Sequence, residues 1–345
     1  MSRLSMKEIA SELHLSINAV SLALNNRPGV SEETRRAVIE KAKETGYLDK
    51  KKQYYETYAS NHIGLFVSKG NYQSRFYNRV ISGIESASTE ANVYPVVRFL
   101  EQETEWEEDL KNRIFGGVMV VGVIEEDVLE RIASSGVPLV LVDSESYSGQ
   151  YDSVVTENRL GTVTSVSYLL DRGYRKIGFF GDYHHSHSIR ERFWGYMEAL
   201  SLSLDDVGAA AEMSERYSIL GEMDQLIVER NTEAVIGMLR EKKGELPEAY
   251  QCANDEHAAV LSNALKMLGY RIPEDIALVG FDDSDVGTIV LPKLTTLHVQ
   301  RNRMGKEAFR KLHARMISPQ LPVTQTALPV ELIVRGSTGE KEIKS

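Results

Sequence analysis

From residue 62 onward the chain alternates short apolar runs with amphipathic stretches, and this alternation restricts the fold more than any other feature. HIGLFV, VYPVVRF, GGVMVVG and PLVLV come first, followed by KIGFFG, EAYQCA, IALVGF and LTTLHV. Helical patterns such as FYNRVISGIESASTEA and DEHAAVLSNALKMLG lie between them. Apolar strands separated by helices spell βαβ units and parallel sheets. Roughly ten such strands exceed one comfortable sheet. Two doubly wound lobes are therefore expected, with a ligand at the carboxyl ends of the strands, in the cleft between the lobes.

A length of 345 residues fits two or three domains. The longest apolar runs are far short of a membrane span, and the N-terminus has no apolar h-region. Cys252 is the single cysteine, which excludes an intramolecular disulfide and a cysteine zinc cluster. These points place the chain in the cytoplasm, away from membranes. Residues 1–53 carry ten Lys/Arg against seven Asp/Glu, within a chain of net charge -10. A basic head on an acidic body suggests nucleic-acid contact by the head.

The head reads as three helices. Ser5 and Glu8 form a capping box before the apolar face of Ile9, Ala10 and Leu13. Ser16 caps a second helix with Val20, Ala23 and Leu24 as its buried stripe, and NNRPGV breaks it. Ser31 caps a third, with Glu32 and Glu33 in its first turn, and Gly46 ends it. This is helix-turn-helix spacing, in which the second helix enters the major groove by its N-terminus. Asn18 can pair with adenine, while Ile17, Ala19 and Leu22 offer apolar contacts, to thymine methyls in the case of Ile17 or Ala19. Ser16, Ser21, Asn25 and Ser31 suit phosphate oxygens, as do Lys50 and Lys51 further on. Spacing alone fits a small helical bundle equally well.

MKEIASELHLSINAVSLALNNRPGVSEETRRAVIEKAKETGY resembles the DNA-binding head of the LacI/GalR family of bacterial transcription regulators. The carrying residues include Ile9, Ala10, Ser16, Val20, Ser21, Leu24, Asn25, Ser31, Thr34, Arg35, Gly46 and Tyr47. The resemblance implies that residues 17, 18 and 22 face base edges. Relatives often have Arg at the last of these, so Leu22 argues against a guanine contact there. The following LDKKKQYYETYASN lacks the family's Asn-x-x-Ala-Arg hinge pattern, leaving Tyr54, Tyr55 or Tyr58 as candidate minor-groove wedges, with Tyr55 at the wedge position counted back from Ile63. DSVVTENRLGT, YLLDRGYRKIGFFG, CANDEHA, GYRIPEDIALVGFDD and LPVELIVRGST continue the likeness in order, over residues 5 to about 338.

The resemblance implies an all-α helix-turn-helix head followed by an α/β, two-lobed, periplasmic-binding-protein-like domain with parallel sheets. The expected division is 1–47 for the head, 48–61 for the hinge, 62–160 plus 293–324 for the first lobe, 161–292 plus 325–338 for the second, and 339–345 as a tail. The lobe crossings then fall near 160, 292 and 325. The implied function is allosteric: a homodimeric repressor on a near-palindromic operator, controlled by a carbohydrate-like effector. A stand-alone sugar-binding protein is the competing reading.

A buried sugar needs planar donors and acceptors for its hydroxyls. Asp143 ends PLVLVD, Asn254 and Asp255 follow EAYQCA, Asp282 and Asp283 end IALVGFD, and Arg192 lies three residues before Gly195. The resemblance maps Arg192, Asn254 and Asp282 onto effector contacts and Asp143 onto a first-lobe contact. Asp255 and Asp283 read as helix N-caps instead. Asn71, Tyr72, Phe76 and Tyr77 are candidates to line the cleft from the first lobe. In YHHSHSIR, His184, His185 and His187 sit at the rim, with His185 the candidate contact; no carboxylate or cysteine completes a metal set. No phosphate-cradling or nucleophile-elbow motif appears, and Cys252 lies within an apolar strand, so no catalytic residue and no cofactor are expected.

Overall fold

The computed structural model describes residues 6–24, 29–45, 47, 61–146, 148–184, 186–242 and 244–339. Three helices come first, Met6–Glu12, Ile17–Leu24 and Glu32–Glu44. They close over Ile9, Ala10, Val20, Ala23, Val38 and Ala42. Ser16 Oγ accepts the Ala19 amide at 3.0 Å and Ser31 Oγ accepts the Thr34 amide at 3.1 Å, satisfying N–H groups that have no partner inside the helix. Arg35 donates to the Leu22 and Ala23 carbonyls at the far end of the second helix. The expected caps Ser5 and Gly46 lie outside the described residues.

The body begins with β1 (His62–Val67), β2 (Tyr94–Phe99), β3 (Gly117–Val121), β4 (Leu139–Val142) and β5 (Asp152–Thr156). Next come β6 (Ile177–Gly181), β7 (Ile219–Leu220), β8 (Ala249–Cys252) and β9 (Ala277–Val279). The chain ends with β10 (Thr296–His298), β11 (Gln325–Leu328) and β12 (Glu331–Ile333). The first sheet is parallel, in the order β11-β5-β4-β3-β1-β2. The second is β7-β6-β8-β9, also parallel, and β10 and β12 form a small antiparallel pair.

Period-2 side chains explain why the strands read as continuous apolar runs. Met119 and Val121 of β3 pack with Val80, Ile84, Met304 and Leu312 on one face. Val118 and Val120 pack with Trp106, Leu129 and Ile132 on the other. Likewise Phe180 and Cys252 face one side of the second sheet, and Phe179 and Val279 the other. Helices Arg75–Glu90 and Arg301–Ile317 cross over the first sheet in direct backbone contact. A Cβ on Gly305 would fall on the Val80 carbonyl, and one on Gly83 on the Asn302 carbonyl.

The chain passes from the first sheet to the second lobe after Thr156, returns through β10, and leaves the first sheet again after Leu328. The third passage is a correction. Gln325–Leu328, expected in the second lobe, pairs with β5 from Ser153 to Thr156. The cause is Asp152, a buried carboxylate that accepts the Thr324 amide at 2.8 Å and pairs with Arg315, so the segment is fastened to the start of β5. After β12 the chain joins the second lobe, where Ser337 bonds Leu278 in both directions.

Candidate functional site

The carboxyl ends of β1, β3 and β4 hold the first-lobe half of the site. Asn71 and Tyr77 lie over Gly122, whose φ of +83° favours glycine; a Cβ there would also crowd the Asn71 amide. Tyr77 donates its phenol to Asp143 Oδ2 at 2.9 Å. Ser188, at the start of helix His187–Leu204 in the second lobe, donates to Asp143 Oδ1 at 3.3 Å, across the cleft. Burial pushes the Asp143 carboxyl up to about 6, with Arg192 and Tyr77 opposing the rise and the nearby Asp282 adding to it. Burial, followed by the charge of Asp143, likewise drives the Tyr77 phenol well above its ordinary range.

Arg192 organises the second-lobe half. Its side chain is buried and every nitrogen is engaged. Nε donates to Asn158 at 2.9 Å, one terminal nitrogen to the Ala253 carbonyl at 2.8 Å, and the other to Asp282 at 3.2 Å. Its guanidinium lies 3.7 Å from the centre of the Phe281 ring. Burial raises the Asp282 carboxyl above its usual range despite the opposing charges of Arg192 and Arg301. The two lobes also meet through Glu145 and His187 at 3.2 Å, Arg75 and Asp285 at 3.8 Å, and Arg301 with the Asp283 carbonyl at 3.0 Å.

Of the residues expected here, Asn71, Asp143, Arg192 and Asp282 line this cleft. Phe76 stands edge-on to Tyr77 and beneath Arg301. Asn254 follows the carbonyl that Arg192 holds, but its Oδ1 caps helix Asp255–Met267 through the His257 amide at 3.0 Å. Tyr72 packs edge-on against Phe99 at the end of β2, apart from the Asp143 cluster. His185 lies outside the described residues; its neighbour His187 makes the cross-lobe contact.

Neither Asp255 nor Asp283 is a helix N-cap. Asp255 is buried, accepts the Ser284 amide and the Thr296 hydroxyl at 2.6 Å each, and is pushed by burial up to about 7. Asp283 pairs with Arg335 at 2.5 Å and His298 at 2.9 Å. Ser188, Asn158 and Arg301 were not singled out from sequence, because each enters the site only through packing between distant segments.

In the head, Ile17 is 50% exposed and Asn18 is exposed, whereas Leu22 is partly buried towards Gly29. Ala19 and Ser21 are half-buried, and Ser16 and Ser31 are the exposed capping hydroxyls. Asn25, Lys50, Lys51 and Tyr55 lie outside the described residues.

A two-lobed parallel α/β body with a polar interlobe cleft defines the class, and comparison with known proteins agrees. Residues 166–338 match the periplasmic binding protein-like domain. The transcriptional regulator RegA of Clostridium saccharobutylicum is 28% identical, covering 97% of this chain and 99% of its own length. The repressor PurR of Vibrio vulnificus is 25% identical, covering 96% and 97%. A CelR–cellobiose complex superposes with a TM-score of 0.70 at 24% identity, covering 97% of this chain and all of that one. The lac repressor dimer bound to operator and an anti-inducer gives 0.69 at 21%, covering 97% and 99%. The chain belongs to the LacI/GalR family of bacterial transcription regulators.

Proposed function

We propose that this chain is a sequence-specific DNA-binding repressor whose operator affinity is set by a small polyhydroxylated molecule, a sugar or sugar derivative, held between its lobes. The observation that carries the reading is the Arg192 constellation: Asp282 and Asn158 converge on it from the second lobe, and Asp143 faces it from the first. A ligand donating hydroxyls to both carboxylates bridges the lobes and favours one lobe angle. The curated relatives that cover the chain from head to tail are named as regulators and repressors, which favours this over a stand-alone sugar-binding protein and over an enzyme.

The three-helix head is a helix-turn-helix, and Ile17–Leu24 is its reading helix. Ile17 and Asn18 carry base contact, with Ala19 and Ser21 beside them. Leu22, turned towards Gly29, contributes less. Asn25, Lys50, Lys51 and Tyr55 are assigned to DNA from sequence. A homodimer places two heads on a near-palindromic operator, in the cytoplasm where the DNA lies. Among the described residues no helix is long and apolar enough to cross a membrane.

Two experiments test the reading. Selection from random duplexes with the full chain should return an inverted repeat, and Asn18→Ala should erase sequence preference while leaving nonspecific binding; an unaltered footprint refutes the head. Calorimetry against a sugar panel beginning with cellobiose and ribose should find a ligand whose binding Arg192→Ala abolishes. Undiminished binding by that variant refutes the cleft.

A further inference from the structure

Phe281 to Ser284 form a short loop that is fastened, residue by residue, to the strand through which the chain returns to the first lobe. Gly280 donates its amide to the Thr295 carbonyl and Asp282 to the Leu297 carbonyl, both at 2.9 Å. The Asp283 amide donates to Thr296 Oγ1 at 3.3 Å, and Asp255 joins Ser284 to Thr296. At the centre is the Asp283 side chain. One oxygen takes Arg335, just past β12 on the third passage between lobes; the other takes His298, on the second passage. The Arg335 and His298 contacts hold this carboxyl below the usual carboxylate range even though burial opposes them.

The backbone is unusual at the same two residues. Asp282 has φ +105° and Asp283 φ +49°, consecutive non-glycine residues in the left-handed half of conformational space. Such conformations persist only where surrounding contacts over-determine them. Here those contacts are Arg192 on one side and the two interlobe passages on the other.

We infer that Asp283 is a positioning residue that couples the effector cleft to the passages between the lobes: any change at Asp282 is passed through Asp283 to Arg335 and His298, and so to the lobe angle. The inference rests on the proposed effector site at Arg192 and Asp282. It gives two adjacent aspartates different duties, Asp282 facing the ligand and Asp283 holding the two passages between lobes.

The test needs no ligand. Spin labels on K111C and L202C, two exposed positions in opposite lobes, report lobe separation in the full-length chain; Cys252 is buried and stays unlabelled. Asp282→Asn should shift the mean separation by about 2 Å, the scale of element movements in such transitions. In an Asp283→Asn background the same substitution should add no shift. A shift that persists in that background, or no shift in either, overturns the coupling. Melting curves confirm that each variant is folded. His298→Gln, at a half-exposed position, removes only one tether and should reduce the Asp282→Asn shift; should Asp283→Asn fail to fold, an undiminished shift in that variant overturns the coupling. Failure of the effector site would instead appear in the Arg192→Ala calorimetry and would leave this cycle unaffected.

Discussion

Asp143→Asn should stabilise the protein while impairing it. In the native chain the carboxyl is buried between Tyr77, Ser188 and Arg192 and is pushed up to about 6. An unfolded aspartate titrates near 3.9, so the shift is about two units, or about 3 kcal/mol. The native pKa lies above the unfolded one, so between about pH 4 and pH 6 the native state keeps a proton that the unfolded chain has released. Stability therefore falls across that window and stays low above it. Asparagine never ionises and escapes this cost. Urea unfolding should show the variant more stable by about 3 kcal/mol at pH 7.5, with about half of that left at pH 5. The charge of the neighbouring Asp282 adds to the rise. An advantage equal at both pH values, or a variant less stable at pH 7.5, would refute the reasoning.

Arg192→Met leaves the Asp282 carboxylate buried without its guanidinium, so at pH 7.5 it should cost about 3–5 kcal/mol in urea unfolding, and less as the pH falls, because burial favours the protonated carboxyl. Gly305→Ala drives a methyl into the Val80 carbonyl and should lower the urea midpoint by the equivalent of about 1–3 kcal/mol. Gly237→Ala, in helix Thr232–Glu241 with open space around it, should raise stability by about 0.5–1 kcal/mol. Burial pushes the Cys252 thiol well up, so Ellman's reagent at pH 8 should leave the native protein unlabelled and react once urea unfolds it.

All eight apolar runs read from the sequence contain strands; those of the sheet interiors, such as Gly117–Val121 and Ile177–Gly181, are buried on both faces and so write a continuous apolar signature, while Tyr94–Phe99 is a half-buried edge. The short pieces carried no such signature. Ile219–Leu220 has two residues, and Gln325–Leu328 is a largely exposed edge, so its membership of the first sheet was hidden. In the cleft, Arg192, Asp143 and Asp282 were legible because each ends a strand or sits at a family-like position. Tyr77 was seen as a lining residue, but its bond to Asp143 spans 66 positions and leaves no local mark. Asp255 and Asp283 were misread for the same reason. An acid beside a helix start looks like a cap, while the true partners, Thr296 and Arg335, are 41 and 52 residues away.

The first sheet ends with a strand from residues 325–328, whereas the four strands of the second sheet all lie between 177 and 279. The sheet that is begun first is therefore the last to receive all its strands. As the chain leaves the ribosome the second lobe has its sheet in hand while the first still waits for an edge strand and for helix Arg301–Ile317, which covers one of its faces. Until those segments arrive, the layer built by Val80, Ile84, Met119 and Val121 lacks Met304, Ala308, Phe309 and Leu312, and an apolar layer left incomplete is the kind of surface that chaperones bind and that aggregates. Chains broken off before residue 300 should thus carry a finished second sheet beside a first lobe that cannot close.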